Sequence, residues 1–140
     1  MKKNVMLTIE GRQYYDGQEP DVIELTTEGS LELENGGWNI SYEESEMTGM
    51  AGVTTTLRVE PGVVKLIRSG GIRWEMVFQE GVSHQSLYQL DVGAMMMAVC
   101  ARKIDAQIDE HGGNVDLVYE IEIEHCAAGM VEYHLDIRTK

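Results

Sequence analysis

The sequence predicts an all-β fold, an antiparallel up-and-down barrel of about eight to ten strands with little or no helix. Two observations carry that expectation. Apolar and polar side chains alternate with period two almost from end to end. Glycine-rich turn signals interrupt the alternation about every 8 to 12 residues. Such alternation sends one side chain toward a core and the next toward water.

Taken in order, Val5, Leu7 and Ile9 alternate with Met6, Thr8 and Glu10. Residues 23–34 read as one long strand bent at Gly29, since a glycine inside a strand marks a bend or bulge. Within it Leu31 and Leu33 share the apolar face. Asn35-Gly36-Gly37 is a hairpin signal, after which Trp38, Ile40 and Tyr42 oppose Asn39, Ser41 and Glu43. Residues 43–52 form the longest non-repetitive connection. Further turns are expected at Glu60-Pro61-Gly62, Ser69-Gly70-Gly71, Glu80-Gly81 and His111-Gly112-Gly113-Asn114. Between them Ile72, Trp74, Met76 and Phe78 share one face. Near the end Val115, Leu117, Tyr119, Ile121 and Ile123 form one face, as do Val131, Tyr133, Leu135 and Ile137. Residues 93–107 have high helix propensity through Ala94, Met95, Met96, Met97 and Ala98. A lone helix would interrupt a continuous meander, so this stretch is read as a strand apolar on both faces.

A chain of 140 residues is the length of one domain with a core of its own, and residues 1–140 are read as a single barrel. The hydrophobic fraction of 43% and charged fraction of 25% are those of a globular protein. With 24 acidic against 11 basic side chains the net charge is -13, which repels phosphate backbones and anionic headgroups. Neither nucleic acid nor a membrane is an expected partner. The longest apolar stretch, residues 94–101, falls short of the roughly 20 residues of a helical span. Residues 4–10 alternate and give no signal-peptide core. A cytoplasmic location is therefore expected, with Cys100 and Cys126 as reduced thiols.

Several short strings carry a resemblance: Tyr42-Glu43-Glu44, Thr54-Thr55-Thr56-Leu57, Leu66-Ile67-Arg68-Ser69-Gly70, Met76-Val77-Phe78-Gln79-Glu80-Gly81 and Val118-Tyr119-Glu120. Over nearly its whole length the chain resembles the YwiB-like family of uncharacterised bacterial β-barrel proteins. That resemblance implies a calycin-like barrel, the architecture of lipocalins and fatty-acid-binding proteins, and no settled activity. Where relatives are expected to read Tyr-x-Thr-x-x-Gly, this chain has Tyr88-Gln89-Leu90-Asp91-Val92-Gly93, so no role of that threonine transfers.

The candidate chemistry centres on Glu44, in phase with Trp38, Ile40 and Tyr42. A carboxylate on a barrel lining needs a partner or water. Arg68, in phase with Val64 and Leu66, is the natural counter-ion. If the strand reaches Glu44, the two form a polar pair at a barrel mouth that orients a ligand headgroup. If it ends earlier, both sit in solvent. With the aromatic residues Trp74, Tyr88 and Tyr119, and with Tyr42, they make the expected lining of a site for a small, partly apolar ligand. Tyr133 is read as a further inner-face aromatic. The alternative is a filled barrel acting in protein interaction or homodimerisation, and an enzyme using Glu44 as acid or base ranks third.

Other chemistries find little footing. His84, His111, His125, His134 and the two cysteines lack metal-ligand spacing. Ser83-His84, Ser86 and Asp91 lack a nucleophile elbow, and no Gly-Lys-Ser or Gly-Lys-Thr follows the glycine pairs. No catalytic residue, metal or cofactor is expected. The ladder Asp116, Glu120, Glu122 and Glu124 reads as an exposed strand face.

Overall fold

The computed structural model describes residues 2–14, 19, 21–44, 52–70, 74–90, 93–124 and 126–139, without the side chains of residues 74, 86–90, 93–95 and 126–128. The strands are β1 (Lys2–Tyr14), β2 (Asp21–Glu34), β3 (Gly37–Glu43), β4 (Thr54–Glu60) and β5 (Val63–Ser69). They continue with β6 (Trp74–Phe78), β7 (Ser83–Leu90), β8 (Gly93–Asp109), β9 (Gly112–Ile123) and β10 (Cys126–Thr139). Every ladder between these strands is antiparallel, in one 10-stranded sheet ordered β6-β5-β4-β3-β2-β1-β10-β9-β8-β7. Among the described residues there is no helix. Except for β6 and β7, strands consecutive in sequence pair with one another, and the first pairs with the last from Val5↔Thr139 to Tyr14↔Met130. The seam of this near-closed barrel falls between β6 and β7, joined by a tight turn in which Val82 N–H donates to Gln79 O at 3.1 Å.

Local sequence explains the hairpins. Asn35 and Gly36 adopt φ of 50° and 80°, both positive as a two-residue turn matched to strand twist requires. Pro61 followed by Gly62, φ 78°, suits a type II turn. The glycine pair at 112–113 behaves differently from the sequence expectation. The turn is made by Glu110 and His111, while both glycines begin β9. A Cβ on Gly112 would strike the Ile137 carbonyl, and one on Gly113 the Gln107 carbonyl. Close backbone approach, not turn geometry alone, selects glycine there.

Directly opposed residues of an antiparallel pair share a face, so the ladders stack side chains into rows across β3, β4, β5 and β6. One row is Trp38, Val59, Val64 and Phe78; the next is Ile40, Leu57, Leu66 and Met76. Together with Val5, Leu7 and Ile9 of β1, Val115 and Leu117 of β9, and Leu135 and Ile137 of β10 they form the core. Burying each such aliphatic or aromatic side chain contributes about 1.5–3 kcal/mol. Leu33 departs from the pattern: in phase with Leu31, it is 53% exposed because β2 there has reached the barrel rim. Strand β8 runs through residues 93–107 as expected, bulged between Ala101 and Lys103, and Ala98 and Val99 are both buried on opposite faces.

Gly29 does mark a special position in β2. An added Cβ would lie 2.5 Å from Ser41 O and 2.6 Å from Leu7 Cδ1, so the crossing of β3 and the packing of β1 leave no room for a side chain.

Candidate functional site

The third row across the sheet is polar. Tyr42 lies opposite Thr55 and Thr55 opposite Arg68, so these three belong to the inner face, and the Arg68 backbone pairs with that of Trp74. The ladder continues past the end of β3, where Glu44 N–H donates to Val53 O at 2.8 Å. Glu44 therefore keeps the phase of Trp38, Ile40 and Tyr42, and it is buried, with 7% of its surface exposed. The Nε of Arg68 is likewise shielded from solvent. Thr55 faces Tyr42, and its buried hydroxyl hydrogen-bonds to the Tyr42 phenol.

The opposite wall supplies Tyr119 of β9 and Tyr133 of β10. Burial raises all three phenols and their neighbours modulate the shift. Tyr42 is lifted by burial first and by the negative charge of Glu44, against the pull of Arg68. Tyr119 is pushed up to about 12 by burial, again opposed by Arg68. Tyr133 is raised by burial, then by Tyr42, Tyr119 and Glu44, with Arg68 opposing. The strand registers across β3, β4 and β5 and the contact of Phe78 with Tyr119 place these groups on the same inner face. One guanidinium acts on three phenols from two walls, and one carboxylate acts on two of them. Phe78 closes the base of the cluster, its ring 4.6 Å from that of Tyr119 at 48°, a tilted contact favoured by the ring quadrupoles.

The structure thus places Tyr42, Glu44, Arg68 and Tyr119 on the inner face of the barrel. Trp74 and Tyr88 occupy β6 and β7, opposite Arg68 and Met95 respectively, but their side chains lie outside the described residues. Two members were absent from the sequence-derived lining. Tyr133 was legible as an inner-face aromatic, but its closeness to Arg68 depends on β10 closing the barrel. Thr55 is in phase with Leu57 and Val59, a signal available in the sequence. A cleft of about 670 Å³ opens to solvent along β1–β4, lined mostly by outward-phase residues such as Asn4, Glu28, Ser30, Ser41 and Thr54, with Tyr42 and Glu44 at its border.

Such an arrangement suits binding. Phenols raised this far stay protonated near neutral pH, so each hydroxyl can donate and accept hydrogen bonds but does not act as a base.

On the outer face, Asp116 and Glu120 of β9 are engaged, as is Glu124 in the turn that follows it. Asp116 Oδ1 lies 2.5 Å from His134 Nδ1 and Oδ2 accepts from Asn114 at 3.2 Å. Glu120 accepts from Arg102 at 2.8 Å, and Glu124 from the Met96 N–H at 2.9 Å. His84 is within hydrogen-bond distance of Gln79, 3.1 Å away, while His125 and Asp91 lie outside the described residues. Among the described residues no group of three or more His, Cys, Asp or Glu is placed to hold a metal ion, and Cys100 is free. No helix among them is long and apolar enough to cross a membrane.

Residues 7–137 match the family described as a domain of unknown function, DUF1934. The chain belongs to that family. It is 25% identical over 124 residues to the uncharacterized beta-barrel protein YwiB of Bacillus subtilis (strain 168), covering 88% of this chain and 86% of that protein. The crystal structure of the ywiB protein from Bacillus subtilis superposes with a TM-score of 0.88 at 21% identity, covering 99% of this chain and 93% of the other. This is a match of fold, and it agrees with the barrel and the family resemblance inferred from sequence.

Proposed function

We propose that this DUF1934 barrel binds a small, partly apolar molecule at its Tyr42–Glu44 end. The observation that carries the reading is the set of three phenols, Tyr119 buried and Tyr42 and Tyr133 half-buried, around Arg68 and Glu44, backed by an apolar core and bordering a solvent-open cleft. Apolar walls with a few converging polar groups are the usual composition of small-molecule sites. Glu44 and Arg68 carry opposite formal charges, so the head that fits best is uncharged and both donates and accepts hydrogen bonds. An additional full charge of either sign would face a like charge at short range.

A second reading has its own support. Leu7, Leu31, Ile40, Phe78, Leu117 and Leu135 are almost wholly inaccessible, so side chains fill the middle of the barrel. A filled barrel suits a protein-interaction or homodimerisation module. Native mass spectrometry of the protein taken from its own cells separates the two. The ligand reading expects an additional small-molecule mass on the barrel that is lost in Arg68→Met. A clean dimer without bound mass in every preparation supports the filled barrel and overturns the ligand site.

A further inference from the structure

The other end of the barrel carries an irregularity in strand pairing. On its seam side β8 is paired with β7 only as far as Cys100, opposite Ser83. At Ala101 the carbonyl accepts from Gly81 N–H at 3.0 Å. Ile104 N–H donates at 2.8 Å to the side chain of Glu80, whose carboxylate stands where a neighbouring strand's carbonyl would be. Beyond Ile104 the edge has no such substitute among the described residues. The register with β9 is unbroken from Lys103↔Val118 to Asp109↔Gly112. In an antiparallel ladder alternate residues turn their N–H and C=O away from the partner. Since Ile104 turns outward, Ala106 and Ile108 do so as well.

This edge borders a cleft of about 410 Å³ whose apolar walls include Trp38, Val59, Ile104, Ala106 and Ile108, faced by the β4–β5 turn at Pro61 and Gly62. Unpaired N–H and C=O groups beside an apolar cleft form a template for an incoming strand. An extended segment laid along β8 would alternate side chains, one toward Trp38 and Val59, the next outward beside Asp105. Glu80, Asp105 and Glu60 border the cleft, of which Glu60 is already shared by Arg58 and Lys65 at 3.4 and 3.9 Å. The chain as a whole carries -13. A second copy meeting edge to edge would oppose Asp105 and Glu80 to their own kind, which is unfavourable. A basic segment is attracted by the same groups.

We propose that the free edge of β8 at Ala106 and Ile108 is a strand-addition site for an extended segment of another protein that alternates apolar and basic side chains. The site is separate from the tyrosine cluster and stands whether or not that cluster holds a ligand.

The test uses the full chain, ¹⁵N-labelled, and a blocked hexapeptide alternating valine and lysine. In the free protein the Ala106 and Ile108 amides exchange quickly with solvent. Added peptide slows both by at least about tenfold. A peptide with glutamate for lysine, or one N-methylated along the bonding edge, leaves them unchanged. Ala106→Pro removes a donor that points away from β9, so the ladder survives and peptide affinity falls by at least about tenfold. Should that variant fail to fold, Asp105→Lys provides the independent check by shifting preference toward the acidic peptide. Equal binding of the N-methylated peptide, no slowing by the basic one, or protection that grows with protein concentration alone overturns the proposal.

Discussion

Raising the pH should destabilise the barrel through its inner-face tyrosines, Tyr119 above all. In an unfolded chain a tyrosine releases its proton near pH 10, whereas folded Tyr119 holds it to about 12. Between those values the unfolded state binds fewer protons than the native one, so stability falls as pH rises. The contribution of the neutral phenol is complete below pH 10 and is lost as pH climbs through about 12. One group changes stability by at most about 1.4 kcal/mol per pH unit in that window. Tyr42 and Tyr133, both half-buried, are raised as well, so the three together contribute at most about 4 kcal/mol per unit. Against a total of about 5–15 kcal/mol for a domain of ordinary stability, the loss of up to about 8 kcal/mol by pH 12 removes much of the stability and unfolds a domain at the lower end of that range. Urea denaturation followed by circular dichroism at steps from about pH 9 upward measures the slope. Tyr119→Phe keeps the ring against Phe78 and removes one titrating group, so its slope should be shallower by about 1.4 kcal/mol per unit. A stability that is flat across this range, or a Tyr119→Phe slope equal to that of the parent, refutes the interior placement of these phenols.

Further substitutions probe the frame around the cluster. Phe78→Ala empties a fully buried site beside the seam and should cost about 3–5 kcal/mol by urea denaturation; a loss under about 1 kcal/mol contradicts closure at β6. Gly29→Ala forces a methyl against Ser41 O and Leu7 and should destabilise by about 1–3 kcal/mol, where an unchanged midpoint would show the crossing to be looser. Thr55→Val removes the hydroxyl that faces the Tyr42 phenol and hydrogen-bonds to it, and should destabilise by about 1 kcal/mol; an unchanged or raised midpoint would show that the two hydroxyls do not bond.

Much of this architecture could be read locally. Rows such as Ile40, Leu57 and Leu66 are legible because period-two alternation fixes the face of every residue once one is assigned. Glu44 followed the same phase into the interior because Val53 continues the ladder beyond β3. Features set by remote partners were not legible. Leu33 has the inward phase but no sheet over it, since alternation carries no information about where the barrel ends. Gly112 and Gly113 have a composition common to turns and to close backbone crossings, and only the approach of β10 and β8 decides between them. The half-free edge of β8 depends on where β7 begins to pair. The grouping of Tyr133 with Arg68 depends on the pairing of β10 with β1, some 130 residues apart in places.

The binding claim stands or falls on where a ligand touches the barrel. Tyrosine labelled with ¹³C at Cζ gives one NMR signal per ring, to be followed while the small-molecule fraction of the protein's own cells is added. The account predicts that the Tyr42, Tyr119 and Tyr133 signals move together while Tyr14 stays still, and that Arg68→Met abolishes the response. Movement confined to Tyr14, or none at any ring with that fraction at saturation, would contradict it.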